Sequence, residues 1–285
     1  MNIKSVVFMG APGAGKSNLL FRAWLSIARG GSSRLKGRGL PDELAYLNHG
    51  VQKQMAGGYV DHTSAPPDVQ STIPVRFDGE NAELVLPDGP GEDWQRLYED
   101  RRPPDSWIDI ADRDFAFLLC LRADKTDASV GDWIALQRFR GGQANFRQAV
   151  DLSAQPTPAQ VVAVDWIQIL MRATPGKVRR VGILLTAWDA VPEDVRGRGP
   201  SSFLEDEYSL LSDFLRNNKA RVDVEIFGTS LFGCDLNTEE GANKVKLSTN
   251  PADLGWSVLQ HSDGELRTLG ILAPVIWAIS GTHEL

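Results

Sequence analysis

The sequence predicts an α/β protein with a mostly parallel six-stranded sheet and helices on both faces. Two observations carry this expectation. Short apolar runs alternate with helically spaced apolar residues from end to end, and a glycine-rich segment joins the first apolar run to the first helix.

Ile3 to Met9 reads as a buried first strand. A helix is expected from Gly15 to about Arg29, where Leu19, Leu20, Ala23, Trp24 and Ile27 recur at helical spacing and Gly30-Gly31 supplies the stop. Residues 30–71, rich in Gly, Ser, Pro and Arg, read as a long loop with one short helix around Glu43 to Gln54. Ile73 to Phe77 and Glu83 to Leu86 are the next two strands, joined through Asp78-Gly79-Glu80-Asn81, whose Asp-Gly is a hairpin signal. Phe115 to Leu121 is the fourth strand. The polar segment from Arg122 to about Thr157 exceeds a typical strand-to-helix connection and reads as an insertion.

Pro158 to Met171 is expected as helix, Val181 to Leu185 as strand, and Ser202 to Leu215 as a helix opened by a capping box of Ser202 and Glu205. Val222 to Phe227 is the sixth strand. Glu265 to Ile279 reads as the closing helix, kinked if Pro274 lies inside it. With no internal repeat and no clear linker, one domain over residues 1–285 is expected, with insertions at about 30–71 and 122–157.

The chain has 285 residues, 42% apolar and 24% charged, with 30 Lys+Arg against 37 Asp+Glu and a net charge of −7. A core of that size needs no disulfide or metal staple. The two cysteines, Cys120 and Cys234, cannot make a disulfide framework, so a reducing cytoplasmic setting fits best. A pI near 5.2 argues against a surface given over to nucleic acid, which is not expected as a direct ligand. No targeting segment is expected, and the longest apolar stretch, Leu269 to Ile279, falls short of the roughly 20 residues that span a bilayer.

Gly10-Ala11-Pro12-Gly13-Ala14-Gly15-Lys16-Ser17 matches G-x-x-x-x-G-K-[ST] between a predicted strand and a predicted helix. Glycines there let the backbone form a nest of inward N–H groups, and the helix N-terminus adds partial positive charge for phosphate oxygens. Lys16 would reach the β- and γ-phosphates and the Ser17 hydroxyl would take a Mg²⁺ position. Asp88-Gly89-Pro90-Gly91 follows the strand that ends at Leu86. Asp88 can face that metal, and Gly91 can bring its N–H to the γ-phosphate with no side chain in the way. Thr186-Ala187-Trp188-Asp189 follows the fifth strand, and Asp189 could accept hydrogen bonds from N1–H and N2–H₂ of guanine. Gly228-Thr229-Ser230-Leu231, after the sixth strand, could back the base from the other side.

In order and strand-end position these four elements, with the closely spaced second and third strands, resemble the Ras-like P-loop GTPases of the translation-factor-related class. The T-A-W-D form, the insertion after the fourth strand and Pro274-Val275-Ile276-Trp277-Ala278 are similar to the bacterial double-GTPase group of conflict and defence gene clusters. The resemblance implies a Ras-like P-loop fold with GTP/GDP and Mg²⁺ as ligands. It implies phosphate and base contacts from Ala11, Pro12, Gly13, Ala14, Gly15, Lys16, Ser17, Asn18, Gly91, Thr186, Asp189 and Ser230. Ser17, Asp88 and a switch threonine would hold the metal. Thr72 is the first choice for that threonine and Thr63 the second. Lys16, Thr72 and Glu92 are the implied catalytic groups, with Glu92 where Ras-like proteins carry a water-orienting Gln. Ala187 stands where those proteins usually carry Lys, which weakens base stacking and leaves ATP conceivable.

Arg29, Arg34, Lys36 and Arg38, and equally Arg101 and Arg102, are either arginine-type contacts to transition-state charge or solvated basic residues, the second being commoner. Trp133, Phe139 and Phe146 would present an interface or pack the insertion onto the body. Cys120 reads as a core residue. The expected function is a GTP-hydrolysing switch that controls a protein effector or answers to an activating partner, with oligomerisation left open. The alternatives are a nucleotide-binding assembly platform with little hydrolysis and an ATP-using P-loop enzyme.

Overall fold

Nine strands form one continuous sheet in the computed structural model, which describes residues 4–30, 32–60, 70–87, 97, 100–101, 113–124, 157–250, 253–261 and 263–283. The elements in chain order are β1 (Ser5–Met9), α1 (Lys16–Ala28), β2 (Leu35–Gly37), α2 (Leu44–Met55), β3 (Ser71–Phe77), β4 (Glu80–Leu86) and β5 (Phe115–Arg122). Then follow α3 (Ala159–Ala173), β6 (Val178–Thr186), a single 3-10 turn at Trp188–Ala190, α4 (Glu193–Arg196), α5 (Pro200–Glu207), α6 (Ser209–Asn218), β7 (Asp223–Ser230), α7 (Glu239–Lys246), β8 (Trp256–Gln260), β9 (Leu266–Gly270) and α8 (Ala273–Ser280).

The strand order is β2-β3-β4-β1-β5-β6-β7-β8-β9. The five central strands, β4, β1, β5, β6 and β7, are parallel, and the two flanking pairs on each side are antiparallel. All five β1 residues are buried, as a strand covered on both faces requires. One layer of core packs α1, Leu47 of α2 and α8 against the sheet. The opposite layer packs α3, α5 and α6. Helices on both faces, as the sequence predicts, follow from the crossovers that parallel strands demand.

The predicted sheet has six strands, and nine are present among the described residues. The β3–β4 hairpin forms as expected, with Asp78 and Gly79 both at positive φ, the geometry of a two-residue turn. The edge strand β2, only three residues long, lies within a stretch read as loop, because Gly and Arg dominate it and only Leu35 is buried. The predicted closing helix over 265–279 is divided. Leu266–Gly270 pairs antiparallel with β8, and the helix begins at Ala273, which leaves Pro274 in its first turn, where it costs no hydrogen bond and makes no kink. The capping box at Ser202 is absent. Gly199 precedes the helix, Pro200 opens it, and the span breaks at Tyr208 into α5 and α6. No helix among the described residues is long and apolar enough to cross a membrane.

Candidate functional site

The carboxyl ends of β1, β4, β5, β6 and β7 share one edge of the sheet, and chain order reverses across β1 between β4 and β5. Open α/β sheets bind ligands at that location. The loop from Gly10 to Gly15 leaves β1 there. Gly10 has φ +146, and a Cβ on it would lie 2.6 Å from the Cys120 carbonyl, so the loop can cross β5 only as glycine. Gly15, at φ +89, turns the chain into α1. Ala11, Pro12 and Gly13 are exposed while Ala14 is buried, and the Ala14 N–H donates to the Ala11 carbonyl at 3.1 Å. Lys16 is 8% exposed. Its ammonium crosses the loop, donating to the carbonyls of Gly10 at 2.7 Å and Ala11 at 3.0 Å. Beneath it, burial pushes the Cys120 thiol up to about 12, with the Lys16 charge pulling the other way, so the thiol is a neutral core group.

Thr186, the last residue of β6, is buried, and its hydroxyl donates to the Ala14 carbonyl at 2.9 Å. That bond ties the phosphate loop to the T-A-W-D segment. Ala187 then turns through the left-handed region at φ 55. Trp188 is 1% exposed, with its ring edge-on to Phe203 at 5.3 Å. A Cβ at Gly228 would lie 2.5 Å from that indole, so glycine in β7 makes room for the Trp. The buried Trp188 leaves its neighbour Asp189 half-buried at the carboxyl edge.

Tyr59 shares this place. Burial above all pushes its phenol up to about 12, and the charges of Asp189 and Asp235 add to the shift. Its oxygen accepts from the Leu236 N–H at 3.5 Å. Arg122, at the end of β5, is held above its ordinary value first by its hydrogen bonds to Asp124, one of them 2.6 Å long, and further by Tyr59 and Asp235. Tyr59, Arg122 and Asp235 were missed from sequence. Only the position of Arg122 as the last residue of β5 and of Asp235 in the loop after β7 could have marked these two.

The other predicted residues divide by what their side chains do. The Ser17 hydroxyl lies half-buried in the first turn of α1. Thr72 lies in β3 opposite Val85, and because β3 and β4 are antiparallel this puts it at the same edge. It is part of a regular ladder, and its hydroxyl accepts from Gln70 Nε2 at 3.3 Å. Asn18 uses its side chain on protein: its Nδ2 donates to the Val60 carbonyl at 3.2 Å and its Oδ1 accepts from the Val60 N–H at 3.1 Å. The Ser230 hydroxyl is also taken, accepting from the Gly233 N–H at 2.9 Å. The side chains of Asn18, Thr186 and Ser230 therefore make hydrogen bonds within the protein, and those bonds shape the site. Thr63, Asp88, Gly91 and Glu92 lie outside the described residues, as do Arg102, Trp133, Phe139 and Phe146.

Two of the arginine candidates are bound elsewhere. Arg34 grips Asp78 across the β2–β3 edge, with Nε 3.1 Å from each carboxylate oxygen, and lies 4.7 Å over the Phe77 ring. Arg101 makes a two-pronged pair with Asp165 of α3, 2.9 Å on each arm.

Among solved structures, the chain is similar to the signal recognition particle receptor SRb-GTP/SRX complex from Chaetomium thermophilum, with 17% identity over 82% of this chain and 94% of that one and a TM-score of 0.38. It is also similar to the S. cerevisiae Ski7 GTPase-like domain bound to GTP, with 13% identity over 80% of this chain and 42% of that one and a TM-score of 0.37. A bacterial selenocysteine-specific elongation factor, EF-Sec, matches at 12% identity over 86% of this chain and 28% of that one, with a TM-score of 0.33. Comparison with curated proteins finds no match. The sequence profile of Double-GTPase 1 matches residues 7–278, nearly the whole chain, and the chain belongs to the Double-GTPase 1 family.

Proposed function

We propose that the chain is a GTP-dependent molecular switch, which binds GTP or GDP with Mg²⁺, hydrolyses GTP to GDP and phosphate, and is read in one of these states by a protein effector or activating partner. Family membership supports guanine-nucleotide binding. The single observation that carries the reading is the 2.9 Å bond from Thr186 to Ala14, which ties the phosphate loop after β1 to the T-A-W-D segment after β6 across the intervening β5.

In this reading the N–H groups of the loop Gly10 to Gly15 and the first turn of α1 receive the phosphates. Lys16, which lies over its own loop carbonyls, turns to the β- and γ-phosphate oxygens. Asp189 accepts from the guanine N1–H and N2–H₂, and adenine offers no such pair. Oxygen donors suit Mg²⁺, and the hydroxyls of Ser17 and Thr72 at one sheet edge fit it, with Asp88 as the third group. When bound, that ion neutralises charge on the transferring phosphoryl. Glu92 replaces a neutral amide with a carboxylate beside a charged triphosphate, so hydrolysis is slow until a partner completes the site.

Resemblance to defence-cluster GTPases supports a cytoplasmic role in a bacterial defence or regulatory system. Single-turnover phosphate release from GTP tests the enzyme. Release that is abolished in Lys16→Ala supports hydrolysis by this site. No release from the wild-type chain, with or without candidate partners, would leave the alternative of an assembly platform.

A further inference from the structure

Arg22 is a charged side chain with 0% exposure in the middle of α1, on the helix that the phosphate loop opens. A buried guanidinium is costly unless its donors meet acceptors. Here they reach across the fold to a region far away in sequence. Its Nε donates to the Leu231 carbonyl at 2.9 Å, and its Nη2 donates to the Leu254 carbonyl. The guanidinium carbon lies 5.5 Å from the centre of the Phe232 ring, a cation–π distance. Burial pulls its pKa down to about 10, opposed by the charge of Asp253, so the side chain stays cationic at neutral pH.

The two carbonyls belong to the two arms of one loop. Leu231 follows β7 and Leu254 precedes β8, and the arms touch where a Cβ on Gly255 would lie 2.2 Å from the Leu231 carbonyl. Between them the chain carries Asp235, whose charge bears on Tyr59 together with that of Asp189. Phe232 is buried with Leu236 and Val245 in a small cluster of its own, separate from the two main core layers. The guanidinium therefore joins both arms of the loop to α1, in addition to the β7–β8 pairing at the loop's ends and the packing of Leu231 on the main core.

We propose that Arg22 is a positioning residue for base recognition, fixing the loop after β7 against the phosphate loop so that the far wall of the base site stands opposite Asp189. The proposal rests on the guanine reading above. A site built to pair with a particular base edge rejects an analogue that lacks one of its groups, provided the walls hold their places. Inosine triphosphate lacks the guanine N2 amine and keeps everything else.

The test measures dissociation constants for GTP, ITP and tripolyphosphate with the full chain as wild type, Arg22→Lys and Arg22→Met, each checked for cooperative thermal unfolding above the assay temperature. Wild type is expected to favour GTP over ITP by about tenfold or more. Arg22→Met is expected to bring that ratio to within about twofold of unity, and Arg22→Lys, which keeps the charge but loses the fork, to fall between. Tripolyphosphate affinity should change by less than about twofold, since it touches only the nest. Folded variants that keep the wild-type GTP/ITP ratio, or that lose all three ligands equally, overturn the proposal. If Arg22→Met does not fold, Arg22→Lys decides alone. A wild-type chain with no preference for GTP over ITP overturns the guanine reading itself and the role of Arg22 with it, and that outcome is visible without any variant.

Discussion

The Thr186 hydroxyl donates to the Ala14 carbonyl 172 residues away and lies 3.2 Å from the Leu121 carbonyl, so one side chain joins β6, the phosphate loop and the end of β5. Replacing it with valine keeps the shape and leaves a buried carbonyl without its donor, a loss of about 1–3 kcal/mol. Thr186→Val should lower the denaturant midpoint and weaken GTP several-fold. Unchanged unfolding would show that the bond holds nothing in place.

Trp188 and Gly228 form a matched pair, since a methyl at Gly228 would lie 2.5 Å from the indole. Gly228→Ala alone should destabilise by about 1–3 kcal/mol through overpacking. Trp188→Leu makes room for the methyl, so in chemical denaturation the double variant should be more stable than the sum of the single effects predicts. Strict additivity would mean the two residues do not meet.

These residues show what was legible from sequence. The phosphate loop, the strand before it and the T-A-W-D segment were readable because each couples a local pattern to a strand end: an apolar run followed by glycines, or by an Asp. The β3–β4 hairpin was readable from Asp78-Gly79, where the turn type demands those residues. What escaped was decided by distant partners. Nothing around Arg22 announces that Leu231 and Leu254 will offer it carbonyls, so on sequence it is one more helical arginine. The bonds from the Gly233 N–H to the Ser230 hydroxyl and from the Val60 N–H to the Asn18 amide oxygen are likewise set by the fold and not by any local pattern. The β8–β9 hairpin was lost because Leu266 and Leu269 of β9, three residues apart, run on through Ile271 and Leu272 into apolar α8, and periodicity alone could not divide them.

Tyr59 gives a pH prediction. Its folded pKa, raised to about 12, exceeds the ordinary 10.0, so the unfolded chain releases this proton first as pH rises. The unfolded state then binds fewer protons than the native state, and stability must fall from about pH 10 towards 12. Below pH 10 the contribution is fully present. Tyr59→Phe should flatten that part of the urea-midpoint profile relative to wild type, and an unchanged slope would place the phenol in water.

The cysteines should differ in reactivity. Cys120 is fully buried with its thiol pushed up to about 12, while Cys234 is half-buried with its thiol raised mainly by burial. At pH 8, iodoacetamide should label Cys234 slowly and leave Cys120 unmodified in the folded chain, as read by peptide mass spectrometry. Labelling of Cys120 ahead of Cys234 would contradict the packing of Gly10 on β5.

The central claim is that Asp189 reads guanine beside a phosphate nest. Asp189→Asn exchanges an acceptor for an amide whose pattern suits xanthine. Titration of fluorescent GTP, ATP and XTP with Mg²⁺ into wild type and Asp189→Asn tests this most directly. The account predicts that wild type prefers GTP over ATP by at least about tenfold, and that the variant loses GTP and gains XTP. Equal affinity of the wild-type chain for GTP and ATP, with no change of base preference in the variant, would contradict it.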